Sequence, residues 1–312
     1  TAWGWATWRM DRGAKPAPFP GTGQAGIRAP ARNSAKVDAA GYGDGMGPWA
    51  TCLGLDGRIY NFISHPQTGY ARLQIWGRDG KLVKSGHIPF ARARHISNIR
   101  VDREGFLYVA LNGLPEGYKA PPELKPDFVK SFVGTIVKLR IKDRWTEKRD
   151  PKAGTVPADA ARKAAGVVLE GAQVSWRSPP YSWGGVGQGR MTLLPPVKVF
   201  VADVEKAIPG ISWTLPSSMC SCTCPLMDMD RFGRLYVPDP ALSRVRILDS
   251  NGNDLAVIAK KLARRGGTGD LLVAWPFYVA SAGDALAFYD GICQRAVHVG
   301  LQFAATESVA IR

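Results

Sequence analysis

The chain has 312 residues, 45% of them hydrophobic, and carries 41 Lys and Arg against 26 Asp and Glu, a formal charge of +15. That apolar content excludes a disordered chain, and the longest apolar stretch, Leu271–Phe288, is too broken by Pro276, Gly283 and Asp284 to span a membrane as a helix. The charge speaks to partners rather than to fold: an acidic protein or an anionic polymer fits it, and so does a diffuse basic surface.

In chain order, residues 1–43 form an N-terminal extension. Trp3, Trp5 and Trp8 are placed to supply an outer strand that closes a ring, and Ala14–Ala31 is rich in Pro and Gly and reads as a loop. GTGQAG at Gly21–Gly26 matches a dinucleotide fingerprint by letters alone. It follows a proline-rich run instead of a strand, and no helix pattern follows it, so it is rejected. The chain opens at Thr1 without a signal peptide, and an extracellular or periplasmic location is the expectation.

Residues 44–312 repeat. ATCLGLDGRIYNFI from Ala50, SNIRVDREGFLYVALN from Ser97, LMDMDRFGRLYVPDP from Leu226 and a weaker FYVASAGDALAFYDG from Phe277 share one pattern. Each reads as an apolar strand, a turn with Gly, a second strand around Leu-Tyr-Val, a polar loop and a third apolar strand. The turn glycines Gly57 and Gly105, and again Gly233 and Gly283, stand about 50 residues apart. The Gly105–Gly233 gap exceeds two such periods and reads as two intervals stretched by insertions such as Pro115–Lys130, with a degenerate blade near Val167–Val201. One sheet cannot bury both of its faces, so repeated sheets stack around an axis. The expectation is an all-β β-propeller of about six four-stranded blades, one or two of them degenerate.

MDMDRFGRLYVPDPALSRVRILDSNGN resembles an NHL repeat, whose usual form is an apolar strand, Asp-x-x-Gly-x-Leu-Tyr-Val, an Asp, and Arg-Val before the third strand. The Cys-Ser-Cys-Thr-Cys stretch just before it is similar to bacterial NHL-repeat proteins of unassigned function. The resemblance implies the propeller architecture. The family includes protein-binding, RNA-binding, lyase and lactonase-like members, so it leaves activity open.

Cys220, Cys222 and Cys224 fall in a loop entering an innermost strand, and Cys293 falls in the loop between second and third strands of the next repeat. In a propeller those two kinds of loop share one face, and the register of His95 places it there too. His65, in another second-to-third-strand loop, faces the same way. Thiolates and imidazole gathered in this way suit Zn or Fe. Disulfide bonding of Cys293 to one of the triplet, and inert buried thiols, are the alternatives. The absence of Cys-x-x-Cys-His argues against a c-type haem.

Trp176, Arg177, Tyr181, Trp183 and Arg190 cluster around a Pro/Gly-rich loop and form a candidate ligand-binding set: aromatic faces stack on sugars or bases, and arginines contact anions. The same residues would also serve to plug a degenerate blade. GGVGQG at Gly184–Gly189 reads as a flexible loop. Asp239…Arg244 and Asp290…Arg295 recur with the repeat, which argues for a structural role over a catalytic one.

Three functions fit these features. A non-catalytic propeller for protein–protein interaction or extracellular assembly, compatible with an oligomer, needs only a rigid basic disc and stands first. A metal-dependent, lyase-like enzyme with its site at the channel mouth would draw His ligands from several blades, and the chain has 4 His. Glycan or single-stranded nucleic-acid binding would use the basic and aromatic loops.

Overall fold

The computed structural model describes residues 6–28, 50–65, 70–88, 90–91, 96–126, 129, 133–141, 166–177, 190–212, 226–261 and 272–302. Among these residues the fold is all-β with almost no helix. Among the described residues four sheets are four-stranded, and three of these are antiparallel meanders or near-meanders that stack in succession. The first runs Ala50–Leu53, Ile59–His65, Tyr70–Trp76, Leu82–Ile88; the second Ile96–Val101, Phe106–Asn112, Val133–Arg140, Val204–Ser212; the third Asp228–Met229, Leu235–Asp239, Arg244–Leu248, Asp254–Ile258. The fourth sheet of this stack, of Pro276–Ala282, Ala285–Asp290 and Arg295–Gly300, has three strands.

The turn between first and second strands explains the repeated Asp-x-x-Gly-x-Leu-Tyr. Asp102 Oδ1 accepts the N–H groups of Glu104 and Phe106, each at 2.9 Å, and its Oδ2 accepts the Tyr108 hydroxyl at 3.1 Å. Asp230 does the same with Phe232 at 2.8 Å, Arg234 at 3.0 Å and Tyr236 at 3.1 Å. Gly105 and Gly233 close these turns at φ 80° and 79°, a left-handed conformation that L side chains resist. The first sheet departs from the pattern: Gly54 stands where the aspartate would be, and Asp56 reaches the Tyr60 hydroxyl at 2.7 Å from a position next to Gly57. Burial, with Asp230 beside it, pushes the Tyr236 hydroxyl up to about 12, so it stays protonated and donates. Tyr236→Phe removes one buried hydrogen bond and is expected to lower folding stability by about 1 kcal/mol, read from the midpoint of urea unfolding.

Side-chain alternation then stacks the sheets. The second strand of the second sheet, Phe106–Asn112, is buried throughout. Its Leu107, Val109 and Leu111 pack with Cys52, Tyr60, Phe62, Leu73 and Ile75 of the first sheet. Its Phe106, Tyr108 and Ala110 point the other way, onto Met227, Met229, Leu235 and Val237 of the third. Tyr236, Val245 and Ile247 on the far face of the third sheet meet Val279, Leu286, Phe288 and Val297 of the fourth. A strand buried on both faces reads as a continuous apolar run, which is why Phe-Leu-Tyr-Val-Ala-Leu shows no polar alternation.

Two expectations change. The Val167–Val201 region is not a blade interposed between the second and third sheets, which pack directly on each other. It forms a long antiparallel hairpin, Gly166–Arg177 with Arg190–Ala202, the centre of a separate four-stranded sheet inserted between the third and fourth strands of the second sheet. Its edges pair with Leu114–Pro115 and Phe90–Ala91, and its Leu169, Val199 and Val201 join the core of the first two sheets. The Gly105–Gly233 gap is therefore a single step of the stack, enlarged from within. In the N-terminal extension, Ala6–Trp8 pairs with Gly26–Arg28 instead of with a blade, and Phe19 and Ile27 pack on Ile59 and Trp76 of the first sheet. Trp3 and Trp5 lie outside the described residues.

Candidate functional site

Of the cysteine rim, Cys293 is described. It lies in the turn between Ala285–Asp290 and Arg295–Gly300, the second-to-third-strand loop expected for it, and is partly exposed. Its N–H donates to Asp290 Oδ1 at 3.4 Å. Cys220, Cys222, Cys224 and His95 lie outside the described residues. Cys52 is buried against the second sheet, and burial pushes its thiol up to about 12, so it behaves as a small apolar side chain. Among the described residues, no three His, Cys, Asp or Glu side chains stand close enough to hold a metal.

The aromatic and arginine cluster falls at the far end of the inserted hairpin. Trp176 and Arg177 end one arm, opposite Met191 and Arg190 of the other. Tyr181 and Trp183, between the arms, lie outside the described residues. His65 closes the second strand of the first sheet, opposite Tyr70.

The two Asp…Arg pairs occupy one place in successive sheets. Asp239 faces Arg244, and Asp290 faces Arg295, as register partners on adjacent strands. Both aspartates are buried. Arg244 Nε donates to Asp239 at 2.8 Å, and Arg295 lies 3.7 Å from Asp290. The residue just before each arginine is left-handed, Ser243 at φ 54° and Gln294 at φ 50°. Cys293 thus holds the position that Leu242 holds in the preceding sheet. Asp290 also accepts the N–H groups of Ala274 and Trp275, each at 3.0 Å, and so fixes the segment that enters the fourth sheet.

Sequence reasoning missed a polar belt where the first strands of the sheets meet. Leu55 N–H donates to Val101 O at 3.1 Å, joining first and second sheets. Asn98 Nδ2 donates to Met227 O at 2.7 Å, and Arg100 Nε to Asp228 Oδ1 at 2.9 Å, joining second and third. Asp228 Oδ2 accepts both the N–H and the Oγ–H of Ser281, at 2.6 and 2.9 Å, and Val279 N–H donates to Leu226 O, joining third and fourth. Asp228 stands two residues before the motif Asp230, in the same Met-Asp-Met-Asp run. A strand residue with its own cross-sheet partner leaves no local pattern, so only the turn aspartate was legible.

Some of the positive charge is likewise internal. Lys138 is largely buried, donates to Ser250 O at 3.2 Å and stands 4.3 Å from the centre of the Phe106 ring. Arg246 grips Asp254 through two bonds, at 2.8 and 3.0 Å.

No protein-family model and no curated protein matches the chain. Among solved structures, a protein of unknown function from Bacteroides caccae is 13% identical with a TM-score of 0.31, covering 81% of this chain and 60% of its own. A catalytically inactive virginiamycin B lyase from Staphylococcus aureus, with quinupristin, is 11% identical with a TM-score of 0.31, covering 83% and 71%. A streptogramin B lyase is 12% identical with a TM-score of 0.25, covering 83% and 84%. The chain thus spans less than two thirds of the first of these proteins. Likenesses this weak fix no chemistry for it.

Proposed function

We propose that the chain is a non-catalytic β-propeller of the NHL-repeat type, a rigid basic platform that holds an acidic protein partner in an extracellular or periplasmic assembly. The belt from Leu55 to Ser281 carries the reading. It ties four successive sheets together along their first strands, and its charged members, Arg100 and Asp228, are engaged with each other and with Ser281. Groups held in this way serve rigidity, and a rigid framework that presents loops suits binding. The charge of +15 favours an acidic partner.

The test compares polyglutamate, heparin and oligo-dT as ligands at 50 and 200 mM salt. Polyglutamate is expected to bind the most tightly of the three and to weaken by roughly an order of magnitude or more across that range. Tighter binding of heparin or oligo-dT would replace the reading with glycan or nucleic-acid recognition. Stoichiometric zinc or iron in the purified protein, lost with activity on chelation, would replace it with a metal enzyme.

A further inference from the structure

The first-to-second-strand turns of the first three sheets lie together at one end of the stack, the end opposite Cys293. Leu55 N–H, in the first turn, donates to Val101 O beside the second, and Lys138 Nζ of the second sheet donates to Ser250 O, in a neighbouring turn of the third. The repeated motif sorts the charges of its turn. Asp102 and Asp230 are buried and spent on turn N–H groups and tyrosine hydroxyls, whereas the arginine that follows each, Arg103 and Arg231, is exposed. The first turn lacks that arginine and supplies Arg58 instead, with 54% of its side chain exposed. The equivalent turn of the fourth sheet, residues 282–285, has no cation, and the basic surface ends there at Asp284.

Among the described residues, neither Arg103 nor Arg231 has a carboxylate partner. Arg58 has a loose one in Asp56, at 3.8 Å, whose Oδ2 also accepts the Tyr60 hydroxyl. Apolar side chains interrupt the charge. Phe232 is 65% exposed, with the Arg231 and Arg234 guanidinium groups 4.7 and 5.0 Å from its ring centre, and Leu53, next to the first turn, is 68% exposed. An exposed aromatic ring flanked by arginines has the composition of a protein interface. A nucleic acid or a sulfated glycan would draw on charge and stacking, and would leave Leu53 without a partner.

We propose that this turn face is the docking surface for the acidic protein, whose carboxylates meet Arg58, Arg103 and Arg231 and one of whose apolar side chains packs on Phe232. The inference rests on the platform reading and adds where the partner sits: over the first three sheets and not over the fourth. Solvent-exposed arginines each contribute little, so several act together, and salt weakens them; burial of the Phe232 ring adds a contribution that salt does not screen.

Binding of polyglutamate and of a Glu–Tyr copolymer of equal charge, at 50 mM salt, tests the surface. The copolymer is expected to bind roughly fivefold more tightly than polyglutamate. Phe232→Ser should remove that advantage while changing polyglutamate binding by less than about twofold. Arg58→Ala with Arg103→Ala and Arg231→Ala should weaken both polymers about tenfold or more. Lys119→Ala with Lys125→Ala and Lys198→Ala removes the same charge from exposed sites away from the turns and should cost less than about threefold. All six of these side chains are exposed, so both triple variants should keep the wild-type midpoint of urea unfolding to within a few tenths of a molar. Wild type that binds neither polymer overturns the platform reading and the surface together. Equal losses in the two triple variants overturn the surface and leave the platform reading standing. A copolymer that binds no more tightly than polyglutamate, or that keeps its advantage in Phe232→Ser, does the same. Heparin or oligo-dT bound more tightly than the copolymer, with the same dependence on Arg58, Arg103 and Arg231, overturns a protein as the occupant.

Discussion

Asp290→Ala is expected to cost about 3–5 kcal/mol of folding stability at neutral pH. The Asp290 side chain is fully buried, and its two oxygens receive N–H groups from Ala274, Trp275 and Cys293. Alanine leaves those donors without their acceptor and Arg295 without its carboxylate. Asp290→Asn keeps one acceptor oxygen and should cost less. The pH dependence has a definite sign. Burial by itself would raise the carboxyl's pKa, but the amide donors outweigh it and hold Asp290 below the ordinary carboxylate range. A depressed folded-state pKa means that the contribution is complete above the unfolded value, near 4, and is lost as pH falls through the folded one. Urea unfolding of wild type and Asp290→Ala should therefore differ strongly at pH 7 and progressively less as the solution is acidified below about pH 4. A gap independent of pH, or one below about 1 kcal/mol at pH 7, would refute this role for the carboxylate.

Much of this framework was legible in the residues, and the illegible parts have a common cause. Asp102 and Asp230 announce their turns because the partners lie two, four and six residues away, so the whole device sits in one short window. Cys293 could be placed by counting from Gly283, because the hairpin between them is tight. The inserted hairpin was misread because Val133–Arg140 takes its outer neighbour from Val204–Ser212, beyond the whole insertion. Apolar alternation records that a strand is half-buried, not which distant strand pairs with it. The first sheet hid its turn device for a different reason, since Gly54 replaces the usual aspartate and Asp56, two residues later, makes the tyrosine contact. For the candidate site, the turn holding Cys293 was foreseen, while the Arg100–Asp228–Ser281 contacts join residues far apart in the chain and have no local signature.

Those contacts carry the second large effect. Asp228→Ala should cost about 3 kcal/mol and should do so unevenly. Arg100 loses the carboxylate 2.9 Å from its Nε, and Ser281 loses the acceptor of both its N–H and its hydroxyl. Arg100 and Asp228 are each about four-fifths buried, with 19% of the side chain exposed, so solvent replaces the lost pairing only in part. In a stack where each sheet touches only its neighbours, stability is a sum of sheet and interface contributions, and weakening one interface frees the sheet at the end. The fourth sheet has one described neighbour, through Val279, Leu286, Phe288 and Val297, whereas the second is packed on both faces. Hydrogen exchange should therefore accelerate first across Pro276–Gly300, the Ser281 amide included, while Phe106–Asn112 keeps its protection until global unfolding. Because Arg100 and Ser281 share Asp228, the stability losses of Arg100→Ala and Ser281→Ala should fail to add, by about 0.5 kcal/mol or more. Uniform acceleration across all four sheets would mean that the belt does not couple neighbouring sheets individually, and the rigid-platform reading would lose the observation on which it stands.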